Sequence, residues 1–150
     1  MGEPGEQRYL DDFRVGQRFT TATHTMTEAE ILAFAREFDP QPFHLDHEAA
    51  RDSPLEGLAA SGWHTAAITM RLQVEGEALA GGIVGAGGEL NWPTPTRPGD
   101  VLHVETEVLE VRSSRSRPDI GIVTLLAETK TADGRVVQNF RCALVVPRRQ

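Results

Sequence analysis

The hydrophobic pattern changes period along the chain. Up to about residue 80 the apolar positions recur at helical spacing, and beyond it they alternate. Arg18–Thr25 is short and rich in threonine, which predicts a strand. Thr27 followed by Glu30 is a capping-box signature. Ile31, Phe34, Ala35 and Phe38 then form an apolar stripe at helical spacing. Pro40 ends this helix, because proline keeps the residue before it out of the helical region, and Asp39 is left at the helix end. Pro40 and Pro42 stiffen a short extended segment leading to His44, and Asp46 can cap a short helix reaching about Arg51. After a turn region at Ser53–Leu58, Ser61 or Gly62 opens a longer helix, from Trp63 to about Glu75. Ala66, Ala67, Met70 and Val74 would be its close-packed apolar face.

Strands follow. Ile83–Asn91 contains Gly85, Gly87 and Gly88, which predicts a bulge or a close backbone approach. Pro93–Asp100 is a Pro/Gly turn. In Val101–Val111 the residues Leu102, Val104, Thr106 and Val108 alternate with mostly charged neighbours, the pattern of a half-buried strand. Ile120–Thr131 and Arg135–Val146 are joined by Ala132-Asp133-Gly134, a hairpin signal. The expected fold is α+β: an antiparallel sheet of about five strands wrapped around one helix, with a short helical overhang before it. At 150 residues it should be a single domain over 9–150, preceded by a flexible N-terminal tail at 1–8.

Charge narrows the partners. The formal net charge of −7 disfavours nucleic acid and anionic membranes, and the basic clusters are small: Arg112, Arg115 and Arg117, then Arg148 and Arg149. No run approaches a membrane span, and Met1–Gln7 lacks the order of a signal peptide, so a cytoplasmic protein is expected. Cys142 is the only cysteine. It excludes an internal disulfide and reads as a small buried hydrophobe.

The segment most suggestive of chemistry is Phe38-Asp39-Pro40-Gln41-Pro42-Phe43-His44-Leu45-Asp46. A carboxylate and an imidazole on one stiff turn can bracket a water and exchange its proton. The spacing alone also fits helix capping and two surface-exposed side chains. Other groupings carry less. His44, His47 and His64 with Asp46 fit a metal site only loosely, since Asp46 serves as a cap and His47 as a solvated first-turn residue; no metal is expected. His24 and His103 read as strand-surface residues.

An Asp, four residues and His-Leu-Asp resembles the hydratase motif of the MaoC-like (R)-specific enoyl-CoA hydratases, with Gln41 where asparagine is commoner. Ala60-Ser61-Gly62-Trp63 looks like the opening of that family's central helix, with Ser61 in place of the usual histidine. Trp92, Pro95 and Gly99-Asp100 match its aromatic-x-x-Pro-x-x-x-Gly-Asp turn. The resemblance spans roughly Phe13 to Val146 and implies a hotdog fold. It also implies reversible addition of water to a 2-enoyl-CoA, with Asp39 and His44 as the acid–base pair and the Gly62 backbone N–H on the thioester carbonyl. Coenzyme A would be part of the substrate, with no separate cofactor, and the active unit would be a homodimer or higher homo-oligomer. Gln41, Ser61, Trp63 and Trp92 become candidates for the substrate pocket, and Arg97, Arg115 and Arg117 for the coenzyme phosphates. Two alternatives keep the fold: an acyl-CoA thioesterase using Glu48, Glu56 or Glu89, or a non-catalytic acyl-CoA-binding module.

Overall fold

The computed structural model describes residues 6–79 and 81–149. Its elements, in chain order, are β1 (Arg18–Thr20), β2 (His24–Thr25), α1 (Glu28–Phe38), α2 (His47–Arg51), α3 (Gly62–Glu75), β3 (Val84–Asn91), β4 (Val101–Ser113), β5 (Ile120–Thr131) and β6 (Val136–Pro147), with a 3-10 turn at Pro42–His44. The strands form one antiparallel sheet in the order β1-β4-β5-β6-β3, and β2 also pairs with β4. The sheet wraps α3, which is the hotdog arrangement. It holds six strands rather than five, because the strand expected over Arg18–Thr25 is interrupted. The Val104 N–H is taken by the Thr21 hydroxyl at 2.9 Å instead of a backbone carbonyl.

The alternation in β4 and β5 places every second residue inside. One core cluster gathers Leu10, Phe13, Phe19, Val108, Val123, Leu125, Leu144 and Val146. The other packs Ile68 and Leu72 of α3 with Met26, Ile31, Leu102, Val104, Ala127 and Val137. Cys142 belongs to the first cluster, where burial pushes its thiol pKa up to about 11 and leaves it unreactive at neutral pH. The glycine run in β3 does what its composition predicts. The register shifts between Gly85 and Gly87, and at Gly88 a Cβ would lie 2.2 Å from the Arg141 carbonyl oxygen.

Three expectations need correction. Of the tail expected at 1–8, residues 1–5 lie outside the described residues, but Arg8 is anchored. Its Nε donates to the Glu77 carbonyl at 2.7 Å and its guanidinium lies 4.9 Å from the centre of the Phe19 ring. In α1 only Ile31 and Ala35 are fully buried, while Phe38 is 65% exposed beyond the edge of the packing. The largest departure is α3, whose buried residues are His64, Thr65, Ile68, Thr69, Leu72 and Gln73. The face expected to pack carries Met70 and Val74, 45% and 46% exposed, beside exposed Ala67 and partly buried Ala66. Hydroxyl and amide pairs seat the helix on the sheet, Thr69 with Thr129 (2.6 Å) and Gln73 with Thr106 (3.3 Å), and on the turn before β4, Thr65 with Thr96 (3.0 Å). Among the described residues, no helix is long and apolar enough to cross a membrane.

Candidate active site

Asp39 caps the C-terminal end of α1, and its backbone N–H still reaches the Ala35 carbonyl. The Pro40–Pro42 segment then closes into the 3-10 turn that carries His44. Both residues meet the segment leading into α3. The Ala59 N–H donates to the Phe43 carbonyl and the Ala60 N–H to the Thr96 carbonyl, so this segment is tied on both sides. His44 is buried, and its Nδ1–H donates to the Ala59 carbonyl at 2.7 Å. That bond sets the tautomer and turns Nε2 toward Asp39 Oδ2, 3.3 Å away.

The Asp39 carboxylate is held at both oxygens. Gln41 Nε2 donates to Oδ1 at 2.6 Å, and the Ser61 hydroxyl donates to Oδ2 at 2.7 Å. Partial burial pulls its pKa up. The two donors and the nearby imidazole together outweigh that and hold it below the ordinary carboxylate value. Asp39 is therefore an anion at neutral pH, and it faces His44 Nε2, which is an acceptor when the imidazole is neutral.

The N-terminus of α3 completes the geometry. Ser61 is its N-cap, accepting the Trp63 N–H on its hydroxyl at 3.3 Å, and the Ser61 carbonyl takes the His64 and Thr65 N–H groups. The Gly62 N–H has no acceptor among the described residues. The Trp92 indole lies against Gly62 so closely that a Cβ there would stand 2.5 Å from the ring, which excludes any larger residue. Trp92 is itself fixed by a 3.0 Å bond from Nε1 to Gln138 and by an edge-on contact with Trp63.

A cavity of about 340 Å³ opens beside this group. Its walls include His44, Leu55, Gly62, Trp92, Pro95 and Val137. Asp39, His44, Gly62, Gln41, Ser61 and Trp92 are thus brought together from three separate stretches of chain. Gln41 and Ser61, expected in the substrate pocket, instead spend their donors on Asp39. Trp63 touches Trp92 but is itself 62% exposed on the outer side of α3.

The three arginines expected at the coenzyme phosphates are placed otherwise. Arg97 is a structural clamp, donating to the carbonyls of Leu55, Gly57 and Leu58. Arg115 and Arg117 sit in the turn between β4 and β5, and Arg117 pairs with Asp119 at 2.7 Å. That turn lies at the far end of β4 from the cavity, on the order of 40 Å along the strand. The carboxylates named for thioester hydrolysis, Glu48, Glu56 and Glu89, are all exposed, and none of them lines the cavity. His47 bonds Glu28, and His103 bonds Glu105. The sequence left His24 without a partner, but it bonds Glu30, which also lies 3.6 Å from His64. The helical position of Glu30 beside the strand was the only available signal for this cluster.

The family model described as "MaoC like domain" matches residues 12–131. A solved structure of a MaoC-like dehydratase from Rhodospirillum rubrum superposes with a TM-score of 0.92 and is 60% identical, covering 95% of this chain and 99% of that one. The uncharacterized protein YdeM of Bacillus subtilis (strain 168) is 39% identical over 123 residues, 80% of this chain and 85% of its own. A 3-hydroxybutyryl-CoA dehydratase of Methylorubrum extorquens is 28% identical over 131 residues, 86% of this chain and 82% of its own.

Proposed function

The chain belongs to the MaoC-like domain family, and from that premise we propose that it is a hydro-lyase that reversibly adds water to a 2-enoyl-CoA to give the 3-hydroxyacyl-CoA. The observation that carries this reading is the His44–Asp39 pair, 3.3 Å apart, with His44 lining a cavity that Gly62 also lines. Two acceptors facing one point hold a water by both its hydrogens and leave its lone pairs free. Attack by that oxygen on the β-carbon forms the C–O bond. The π electrons move to the thioester oxygen as an enolate, which the Gly62 N–H and the positive end of α3 stabilise. The proton left on the Asp39–His44 pair then passes to the α-carbon, and dehydration runs the same steps in reverse. The thioester itself acidifies the α-carbon, so this chemistry asks for no metal or cofactor.

The reading extends to assembly. The apolar outer face of α3 and the edge strand β3 lie side by side and exposed, which suits pairing with a second copy of the chain.

The test is loss of enoyl-thioester absorbance with crotonyl-CoA and a medium-chain homologue, with a free-thiol assay on the same samples. Loss of the enoyl signal without thiol release is expected, and Asp39→Asn and His44→Gln should each slow it by roughly 10²–10⁴-fold while the fold is kept. Thiol release in step with the absorbance change would make the protein a thioesterase. Full activity in both variants would remove the mechanism.

A further inference from the structure

We propose that Ser61 is a positioning residue whose single buried hydroxyl sets the Asp39 carboxylate and the first turn of α3 relative to each other. The proposal rests on the hydratase reading above. Ser61 is fully buried and is not among the residues lining the cavity, so it is not placed to touch substrate. Its one hydroxyl proton goes to Asp39 Oδ2 at 2.7 Å, and the same oxygen accepts the Trp63 N–H at 3.3 Å.

The backbone of Ser61 finishes the arrangement. An α-helix opens with four N–H groups that lack intrahelical partners. In Gly62–Thr65, the first four residues of α3, Ser61 takes three of the N–H groups, that of Trp63 on its hydroxyl and those of His64 and Thr65 on its carbonyl, and leaves that of Gly62, the one proposed to meet the enolate oxygen. The base and the oxyanion donor are therefore set by one residue, and a shift of α3 carries the carboxylate with it.

The other donor to Asp39, Gln41, is exposed and sits on the same turn, so it does not link Asp39 to α3. Among the described residues, His44 is the only titratable group within ion-pair distance of Asp39. This leaves Ser61 as the neutral group whose removal should be felt most.

The experiment compares Ser61→Ala, Ser61→Gly and Ser61→Thr. Glycine caps helices almost as well as serine, so Ser61→Gly removes the hydroxyl with little loss of the cap, while threonine restores the hydroxyl. The Asp39 side-chain carboxyl carbon is titrated by NMR, with its signal assigned by its absence in Asp39→Asn, and kcat and KM with crotonyl-CoA are followed across pH. In the alanine and glycine variants the Asp39 midpoint should rise, kcat should fall about tenfold or more with KM nearly unchanged, and the acid limb of the profile should move toward neutral pH. Threonine should restore all three. An Asp39 midpoint unmoved in both Ser61→Ala and Ser61→Gly would overturn the proposal, even if both variants melt earlier. A midpoint that moves in a protein with no hydratase activity would keep the coupling and discard the reaction.

Discussion

The two faces of α3 have exchanged their usual roles. The buried inner face carries His64, Thr65, Thr69 and Gln73 as well as Ile68 and Leu72; His64 stacks on Phe34 of α1, and the hydroxyl and amide groups are paired with Thr96, Thr129 and Thr106. The outer face shows water Trp63, Met70 and Val74. An amphipathic helix normally turns its apolar stripe to the core and its polar stripe to solvent. The difference teaches that apolarity marks a face that must be covered without saying by what. Here the sheet covers the face that hydrogen bonds can fix, and the apolar stripe is left for a partner chain, the second copy proposed above.

The sharpest way to break this comparison is to charge the outer face. The double variant Met70→Glu/Val74→Glu should dissociate the proposed dimer completely, because two buried carboxylates per protomer would have no counterion at that interface. Sedimentation of wild type and variant measures it directly. A wild-type protein already monomeric at tens of micromolar would show that the outer face is merely tolerated.

The inner face should respond by amounts typical of a core. The Thr69 hydroxyl donates to the Thr65 carbonyl at 2.8 Å, so Thr129, fully buried, must donate to Thr69. Thr69→Val strands the Thr129 hydroxyl in the interior and should cost about 1–3 kcal/mol in urea unfolding, measured at fixed protein concentration. Adding Thr129→Val removes the stranded group and should recover most of that loss. A double variant as unstable as the sum of the two singles would show that packing, not pairing, seats the helix.

This inversion also separates what the sequence made legible from what it did not. The alternation of Leu102, Val104, Thr106 and Val108 and the hairpin at Asp133-Gly134 translate directly into β4, β5 and β6, because strand burial has a period of two and depends on immediate neighbours. The Thr27 and Asp46 caps are seen for the same local reason. The site was legible as residue types at Asp39 and His44, since two prolines make their turn stiff whatever surrounds it. The roles of Ser61, Gln41 and Arg97 were not legible. For Ser61 and Arg97 the role is decided by which acceptor lies across the fold: Ser61 meets a carboxylate 22 positions earlier, and Arg97 meets carbonyls about 40 positions earlier, while Gln41 turns back on Asp39 within its own turn. Sequence spacing carries no information about such meetings, and it showed nothing of the carbonyls that Arg97 holds.

The smallest effect belongs to His64, the titratable member of the inner face. It is buried, stacked on Phe34 with the rings 4.7 Å apart and nearly parallel, and its Nδ1 has no partner among the described residues. Burial depresses its pKa below the ordinary 6.5. Glu30, facing it from α1, opposes the shift, and His24, from β2, adds to it. The unfolded chain therefore binds a proton at this position more readily than the folded one. The contribution to stability is complete above about pH 6.5 and is lost as pH falls from there toward the lower folded value. Asp39 acts in a separate window, because its depressed pKa costs stability only as pH falls below about 3.8. His64→Phe keeps the stack on Phe34 and removes the titration. Its urea midpoint should decline less between pH 7 and pH 5 than that of the wild type. Parallel curves would mean that His64 protonates in the folded state as easily as in the unfolded one, which would place the polar inner face of α3 in contact with water.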